Sequence, residues 1–165
     1  MTTNFKLTDN EIRVLPYRPC VGIMLLNAKN QVFVAQRIDN PGTAWQMPQG
    51  GIEQEEEPLK AALRELEEET GTANAELVAQ TSNWQTYDLP HDLVPKIWDG
   101  RYRGQKQKWF VFRFKGLDSE INIDTEIPEF SEWKWVDMSC LPDIIVPFKR
   151  SLYTKLVEEF SYLIK

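Results

Sequence analysis

The amino-acid sequence predicts an α/β fold in which a mixed β-sheet is sandwiched between helices (α/β/α). Residues 108–114 alternate large apolar side chains and are the clearest strand. Residues 58–71 have the composition of a helix, with a proline at the first position and a glycine at the last. An apolar stripe at helical spacing, starting at Phe148, predicts a C-terminal helix. Several strands combined with two main helices indicate a sheet between helical layers.

The other elements follow from local composition. Residues 1–15 are predicted to be a flexible lead-in, and residues 16–165 to form a single domain, a length ample for one packed core. Residues 89–105 contain Pro and Gly and predict a long loop of the type that tends to carry function. The remaining predicted strands are residues 20–26, 31–37, 44–47, 76–79, 84–87 and 133–136.

Composition restricts the setting and the partners. No apolar run approaches the roughly 20 residues that span a bilayer, and no secretory signal is expected at the N-terminus. The two cysteines, Cys20 and Cys140, form neither a disulfide framework nor a zinc site, which predicts a reduced, cytoplasmic setting. A net charge of −6 argues against indiscriminate nucleic-acid binding. A polyanionic substrate would therefore need a local basic patch or metal ions.

The helix at residues 58–71 concentrates negative charge on one face. Glu65, Glu68 and Glu69 stand at i, i+3 and i+4, whereas Glu67 points away. Repulsion between these carboxylates would be offset by a hard divalent cation, and Mg²⁺ commonly shares its ligands with substrate phosphates. A Glu-rich helix is often only a solvated face. The Gly-rich turn before the helix favours a ligand, because it lets the backbone approach one closely. The predicted core-facing stripe consists of Leu59, Ala62, Leu63 and Leu66.

The spacing of fixed residues in this segment resembles the Nudix box, G-x5-E-x7-R-E-U-x-E-E-x-G-U, in which U is aliphatic. The last aliphatic position is Thr72 instead, which affects packing and not a ligand. The matching residues are Gly50, Glu56, Arg64, Glu65, Leu66, Glu68, Glu69 and Gly71. This resemblance implies the Nudix α/β/α fold and metal-dependent hydrolysis of a pyrophosphate linkage.

A wider resemblance links the chain to the bacterial RNA pyrophosphohydrolases. These enzymes are also described as dinucleoside polyphosphate hydrolases and, in some bacteria, are associated with host-cell invasion. The segments that carry the resemblance are residues 17–19, 45–51, 103–110, 120–122, 128–130 and 148–150. Three functions follow as hypotheses: removal of pyrophosphate from 5′-triphosphorylated RNA to initiate its decay, cleavage of dinucleoside polyphosphates, and a non-catalytic Nudix-fold binding module. Intact box carboxylates disfavour the third, and no membrane or DNA partner is expected.

The resemblance also implies the roles of individual acidic residues. Glu65, Glu68 and Glu69 are the expected ligands of Mg²⁺ or Mn²⁺, with more than one ion bound, and Glu120 is implied as a further catalytic ligand. Without the resemblance, Glu120 would be an ordinary exposed residue. Glu69 and Glu120 are near-equal candidates for the general base. Glu56 is expected to hold the loop, and Arg64 to form a structural salt bridge.

Substrate recognition needs cations for the phosphates and an aromatic ring for a base. The resemblance places Arg18 and Arg37 near the polyphosphate, and it adds Phe148 and Lys149 at the start of the last helix. The stretch containing Arg103, Lys106 and Lys108 is interleaved with aromatic residues, as in proteins that hold single-stranded ends. A solvated face is the alternative for these cations. A place in the core is the alternative for Phe148.

Overall fold

The structure, a computed structural model, describes residues 6–39 and 42–165. Residues 40–41 and the first five residues of the predicted lead-in therefore lie outside the described residues. The strands are β1 (Tyr17–Leu26), β2 (Gln31–Arg37), β3 (Gln49–Gly51), β4 (Ala75–Gln80), β5 (Gln85–Asp88), β6 (Gly104–Phe114) and β7 (Phe130–Asp137). The α-helices are α1 (Asp9–Arg13), α2 (Pro58–Thr70), α3 (Leu141–Ile144) and α4 (Arg150–Phe160).

The seven strands form one mixed sheet, as predicted. Its main order is β4-β6-β1-β2-β7, with β5 paired to β6 and β3 paired to β1. The two longest strands, β1 and β6, run parallel from Tyr17↔Gly104 to Leu26↔Arg113, and the other pairs are antiparallel. This long parallel pair forms the centre of the sheet.

The strands β1 and β2 separate soon after their turn, and the gap holds the glycine-rich segment. Their register includes only Leu26↔Val32, whereas β3 pairs with β1 at Cys20↔Gly51. The backbone N–H of Ile23 donates to the carbonyl of Pro48 at 2.9 Å. The prediction of a strand at residues 44–47 is therefore wrong. Only Gln46 forms a bridge there, and the strand begins at Gln49.

Helices cover both faces of the sheet, which confirms the predicted α/β/α arrangement. One core cluster joins Ala61, Ala62 and Leu66 of α2 to one face of β6. That face carries Phe110, Phe112 and Phe114. The other cluster packs α4, through residues such as Tyr153, against the opposite face of β1, β2 and β6. The buried residues of α4 are Leu152, Tyr153, Leu156 and Phe160. Both faces of the central strands are thus buried, as the apolar alternation of residues 108–114 predicts.

Helix α2 has the predicted ends and a different inner face. It begins at Pro58 and ends at Thr70, and Gly71 follows with φ 75°, a left-handed conformation that suits glycine. The predicted stripe is only half correct, because Leu59 and Leu63 are each 38% exposed. The buried side of the helix instead includes two glutamates of the box, Glu65 and Glu69.

The predicted lead-in contains a short helix. In α1, Thr8 accepts a hydrogen bond from the backbone of Glu11, and the Glu11 carboxylate accepts one from Thr8, which forms a capping box. Ile12 of this helix is buried in the core beside α4. Residues 9–13 therefore pack on the domain. None of the helices in the described part of the chain is long and apolar enough to cross a membrane.

Candidate active site

Helix α2 carries two buried carboxylates, of which Glu65 pairs with Arg64 and Glu69 has no ion-pair partner among the described residues. Glu65 is 8% exposed and Glu69 is 3% exposed, whereas Glu68 is exposed. Burial raises the pKa of Glu65 to about 7, despite its hydrogen bond from Arg64. Burial, with the nearby negative charges of Glu129 and Glu65, raises the pKa of Glu69 well above its usual value. The protein therefore holds these two carboxyl groups where ionisation is unfavourable unless a cation is present.

The glycine-rich turn lies directly over Glu65. A Cβ atom on Gly50 would overlap the Glu65 carboxyl group, so glycine allows β3 to lie against this face of α2. The backbone N–H of the preceding residue, Gln49, donates to Glu69 at 3.1 Å. The turn therefore fixes the positions of both buried glutamates.

Adding a methyl group at this turn should disturb the site. We expect Gly50→Ala to displace the Glu65 carboxyl group and to lower turnover by about 10²-fold, the effect of misplacing a reacting group by about 1 Å. Gly116→Ala is a matched control, because its Cβ would overlap the carboxylate of Glu120 instead. Steady-state hydrolysis of a nucleoside triphosphate by both variants checks the prediction. Equal activity of both variants would contradict it.

Arg64 connects the acidic face to the loop before the helix. Its guanidinium donates two hydrogen bonds to Glu56, each 2.9 Å, and one of 3.0 Å to the carbonyl of Gly51. It also donates to Glu65 at 2.9 Å and to Glu68 at 3.3 Å. The hydrogen bonds from Arg64 lower the pKa of Glu56 to about 2. Arg64 and Glu56 thus form the salt bridge that the sequence predicted, and it closes the loop onto α2.

The Glu56–Arg64 pair should stabilise the fold in a pH-dependent way. We expect Glu56→Gln to lower the free energy of unfolding at pH 7 by about 1–2 kcal/mol, because it removes charge-assisted hydrogen bonds. Since folding lowers the pKa of Glu56 from 4.5 to about 2, this contribution is complete above about pH 4.5 and disappears as the pH falls toward 2. Urea unfolding at pH 7 and at pH 3.5 measures the change. Glu57→Gln, whose side chain does not cap α2, is the control, and a pH-independent deficit would contradict the prediction.

Glu69 lines, with Glu68 and Glu129, a cavity of about 620 Å³. A second cavity, of about 630 Å³, opens beside Glu65 and is the one described below. Glu65 and Glu129 line one side of it, and Gly50 and Gly51 form part of its floor. Three cationic residues that the sequence predicted as substrate contacts also line it, together with aromatic side chains. These residues are Arg18, Arg37, Lys149, Tyr87, Trp98 and Phe148.

Besides Lys96, the cavity is lined by three cations that have different environments. Arg37 donates two hydrogen bonds of 2.7 Å to Asp39. Arg18 lies over the ring of Trp98, with 5.3 Å from its Cζ to the centroid. Lys149 is 7% exposed, and burial, followed by the nearby positive charge of Arg37, lowers its pKa to about 8. Bound phosphates would relieve this repulsion between cations.

Phe148 is half-buried and lies next to Tyr87, with 6.0 Å between the ring centroids. The sequence left open whether Phe148 lies in the core or near the substrate. In the structure, its side chain both packs on the core beside α4 and lines the cavity.

Four predicted site residues lie elsewhere. Glu120 is exposed, and its carboxylate accepts hydrogen bonds from Leu117 N and from Asn74, outside the cavity. Arg103 donates to Asp88 at 2.7 Å and to the carbonyl of Arg13 at 2.9 Å. Lys106 and Lys108 lie over the ring of Trp84. The structure therefore does not bring these four residues to the buried glutamates.

Glu129 takes the position that the sequence assigned to Glu120. Its side chain lines the cavity and lies close enough to Glu69 to raise the pKa of that residue. Its backbone carbonyl accepts a hydrogen bond of 2.9 Å from Ile38, directly after Arg37. Because Arg37 pairs with Phe130 at an irregular point in the β2–β7 register, the residue before Phe130 reaches the site. The signal in the sequence was the segment Pro128-Glu129-Phe130, which the resemblance included.

The chemistry of the donor set fits a divalent cation. Oε1 of Glu69 is buried without a hydrogen-bond partner in the described structure. Carboxylate oxygens are the ligands that Mg²⁺ and Mn²⁺ prefer. Within residues 6–39 and 42–165, no three acidic, His or Cys side chains converge closely enough to hold an ion. Glu65 and Glu68 instead contact Arg64, and Glu69 contacts the Gln49 backbone.

Comparison with known proteins defines the class of this protein. Residues 16–156 match the family model described as NUDIX domain. The chain therefore belongs to the Nudix family of hydrolases, which act on phosphorus-containing anhydrides and generally need divalent metal ions. The resemblance identified from the box is confirmed.

More specifically, the chain is similar along almost its whole length to proteins named RNA pyrophosphohydrolase. The one from Roseobacter denitrificans is 60% identical over 157 residues, which cover 94% of this chain and 98% of that protein. The one from Rickettsia bellii is 51% identical over 158 residues, covering 96% and 98%. Among solved structures, the E. coli dihydroneopterin triphosphate pyrophosphohydrolase matches with a TM-score of 0.64 and 19% identity, covering 87% of this chain and 99% of that one. This last match shows the shared fold.

Proposed function

We propose that this protein is a divalent-metal-dependent pyrophosphohydrolase that removes pyrophosphate from the 5′ end of triphosphorylated RNA and thereby opens the RNA to decay. The observation that carries the proposal is the position of the buried Glu65 in a cavity that is also lined by Arg18, Arg37 and Lys149. Relatives at 51–60% identity that carry the name RNA pyrophosphohydrolase support RNA as the substrate.

Each group of residues has a role in this proposal. Glu65, Glu68 and Glu69 are the ligands of more than one divalent ion, either Mg²⁺ or Mn²⁺. When bound, these ions neutralise charge on the phosphate oxygens and lower the pKa of a water molecule. Glu129, which is exposed and lines the cavity, accepts the proton of the attacking water. Gln49 N–H and Gly50 keep Glu69 and Glu65 in position.

The other side of the cavity binds the substrate. Arg18, Arg37 and Lys149 bind the triphosphate, because their charges are concentrated in a protein of net charge −6. The rings of Trp98 and Phe148 offer apolar surfaces on which a nucleobase can stack. Arg18 is held against Trp98, so the phosphate and base contacts are coupled through one pair of side chains.

Product analysis with Mg²⁺ tests the substrate. The protein is given a 5′-triphosphorylated RNA oligonucleotide and diadenosine tetraphosphate at equal concentration, and the released products are separated. We expect release of pyrophosphate from the RNA with the higher kcat/KM. Faster cleavage of the dinucleotide would favour the dinucleoside polyphosphate hydrolase, and no cleavage of either would favour a binding module. The cytoplasmic setting stays a prediction from the two free cysteines.

A further inference from the structure

Two half-buried lysines and one partly exposed tryptophan form a basic surface at the β5–β6 edge of the sheet. The Nζ atoms of Lys106 and Lys108 lie 5.0 and 5.1 Å from the ring centroid of Trp84. Trp84 is 38% exposed. In the part of the chain that the structure describes, neither lysine has an acidic partner within ion-pair distance. We call these three residues the Trp84 surface.

The lysines of the Trp84 surface and the cavity residue Gln105 lie on opposite faces of β6. Along β6, Gln105 lines the cavity, and the side chains of Lys106 and Lys108 point to the other face because successive residues of a strand alternate. The strand β5 pairs only with β6 and forms an edge. Tyr87 on β5 lines the cavity, and Trp84 lies three residues earlier, about 10 Å along the strand. An RNA strand that leaves the cavity can therefore reach the Trp84 surface by passing over this edge.

We infer that the Trp84 surface binds the single-stranded RNA that follows the 5′ end, after the first nucleotides have entered the cavity. This inference rests on the proposed function. The Trp84 ring provides a face for base stacking, which does not depend on sequence, and the two lysines contact the phosphates on either side. Two cations over one ring repel each other, and an RNA phosphate is the counterion that removes this repulsion.

The net charge of the protein makes a local surface necessary. At −6, the protein as a whole repels RNA, so affinity for a longer strand must come from a restricted cluster of cations. Arg103 does not contribute, because it is paired with Asp88. Lys106 and Lys108 are the unpaired cations that alternate along β6 next to an exposed aromatic ring.

The dependence of activity on RNA length tests this inference. Initial rates are measured with a triphosphorylated dinucleotide, too short to leave the cavity, and with a triphosphorylated single strand of about 12 nucleotides. The variants are Trp84→Ala and the double variant Lys106→Gln/Lys108→Gln. The matched control is Lys29→Gln/Lys155→Gln, which removes two exposed lysines elsewhere. Thermal unfolding of each variant confirms that it is folded.

We expect both surface variants to raise KM for the long RNA about tenfold and to leave the dinucleotide and the control unaffected. The slope of log KM against log salt for the long RNA should fall by about 1.4 in the double lysine variant, since each phosphate contact on a single strand contributes about 0.7. An equal loss on both RNAs, or none on the long RNA, would overturn the inference. If the parent hydrolyses neither RNA, the proposed function fails instead.

Discussion

Replacing Glu69 with glutamine is expected to lower turnover by at least about 10²-fold and, without metal ions, to make the protein more stable at pH 8. Turnover falls because Glu69 is buried with an unpartnered oxygen that is suited to a metal ion. Stability rises because the neutral amide removes a buried charge and keeps the acceptor for the Gln49 N–H. Glu68→Gln should also lower turnover strongly, with little effect on stability, because Glu68 is exposed.

The pH dependence of this effect has a definite sign. Because folding raises the pKa of Glu69, the folded parent loses stability as the pH rises above 4.5, the value in the unfolded chain. The advantage of Glu69→Gln over the parent should therefore grow from pH 4.5 toward pH 8 and vanish below pH 4.5. Urea unfolding in the presence of a chelator measures it, and phosphate release measures turnover. Glu67→Gln, on the exposed side of α2, is the control. Parent-like turnover of Glu69→Gln would remove Glu69 from the site.

The second large effect separates Glu129, which lines the cavity, from Glu120, which the resemblance implied as a ligand. We expect Glu129→Gln to lower turnover by about 10²–10⁴-fold, the range for loss of a general base. Glu120→Gln should remain within about threefold of the parent, because Glu120 is exposed and lies away from the cavity. The two substitutions are chemically identical, and both positions are exposed, so each serves as the control for the other. Steady-state kinetics on the same substrate measures both, and the reverse ranking would contradict the assignment of Glu129.

Chain periodicity and end signals were sufficient to predict most of the fold. The alternation in residues 108–114 identified the central strand, and Pro58 and Gly71 marked the ends of the helix that carries the box. The spacing of Glu65, Glu68 and Glu69 predicted a shared face, and the structure has two of them buried. These features depend on neighbours within a few residues, which is why sequence patterns contain them.

The features that the sequence did not predict depend on long-range pairing. Glu129 reaches the cavity because the β2–β7 register is irregular at Arg37, which no local pattern of residues reveals. Lys106 and Lys108 were expected at the substrate because aromatic residues are interleaved with them. Along β6 their side chains alternate with that of Gln105, which lines the cavity, so neither lysine lines it. Leu59 and Leu63 were assigned to the core because hydrophobicity alone cannot show that a helix buries glutamates in their place.

Anomalous diffraction from manganese tests the account most directly. Crystals of the protein would be soaked with Mn²⁺ and a non-hydrolysable 5′-triphosphate nucleotide. We expect anomalous peaks within coordination distance of carboxylate oxygens of Glu65, Glu68 and Glu69, with the phosphates between these peaks and Arg18, Arg37 and Lys149. Peaks elsewhere, with Glu65 and Glu68 still bound to Arg64 and Oε1 of Glu69 still without a partner, would contradict the account.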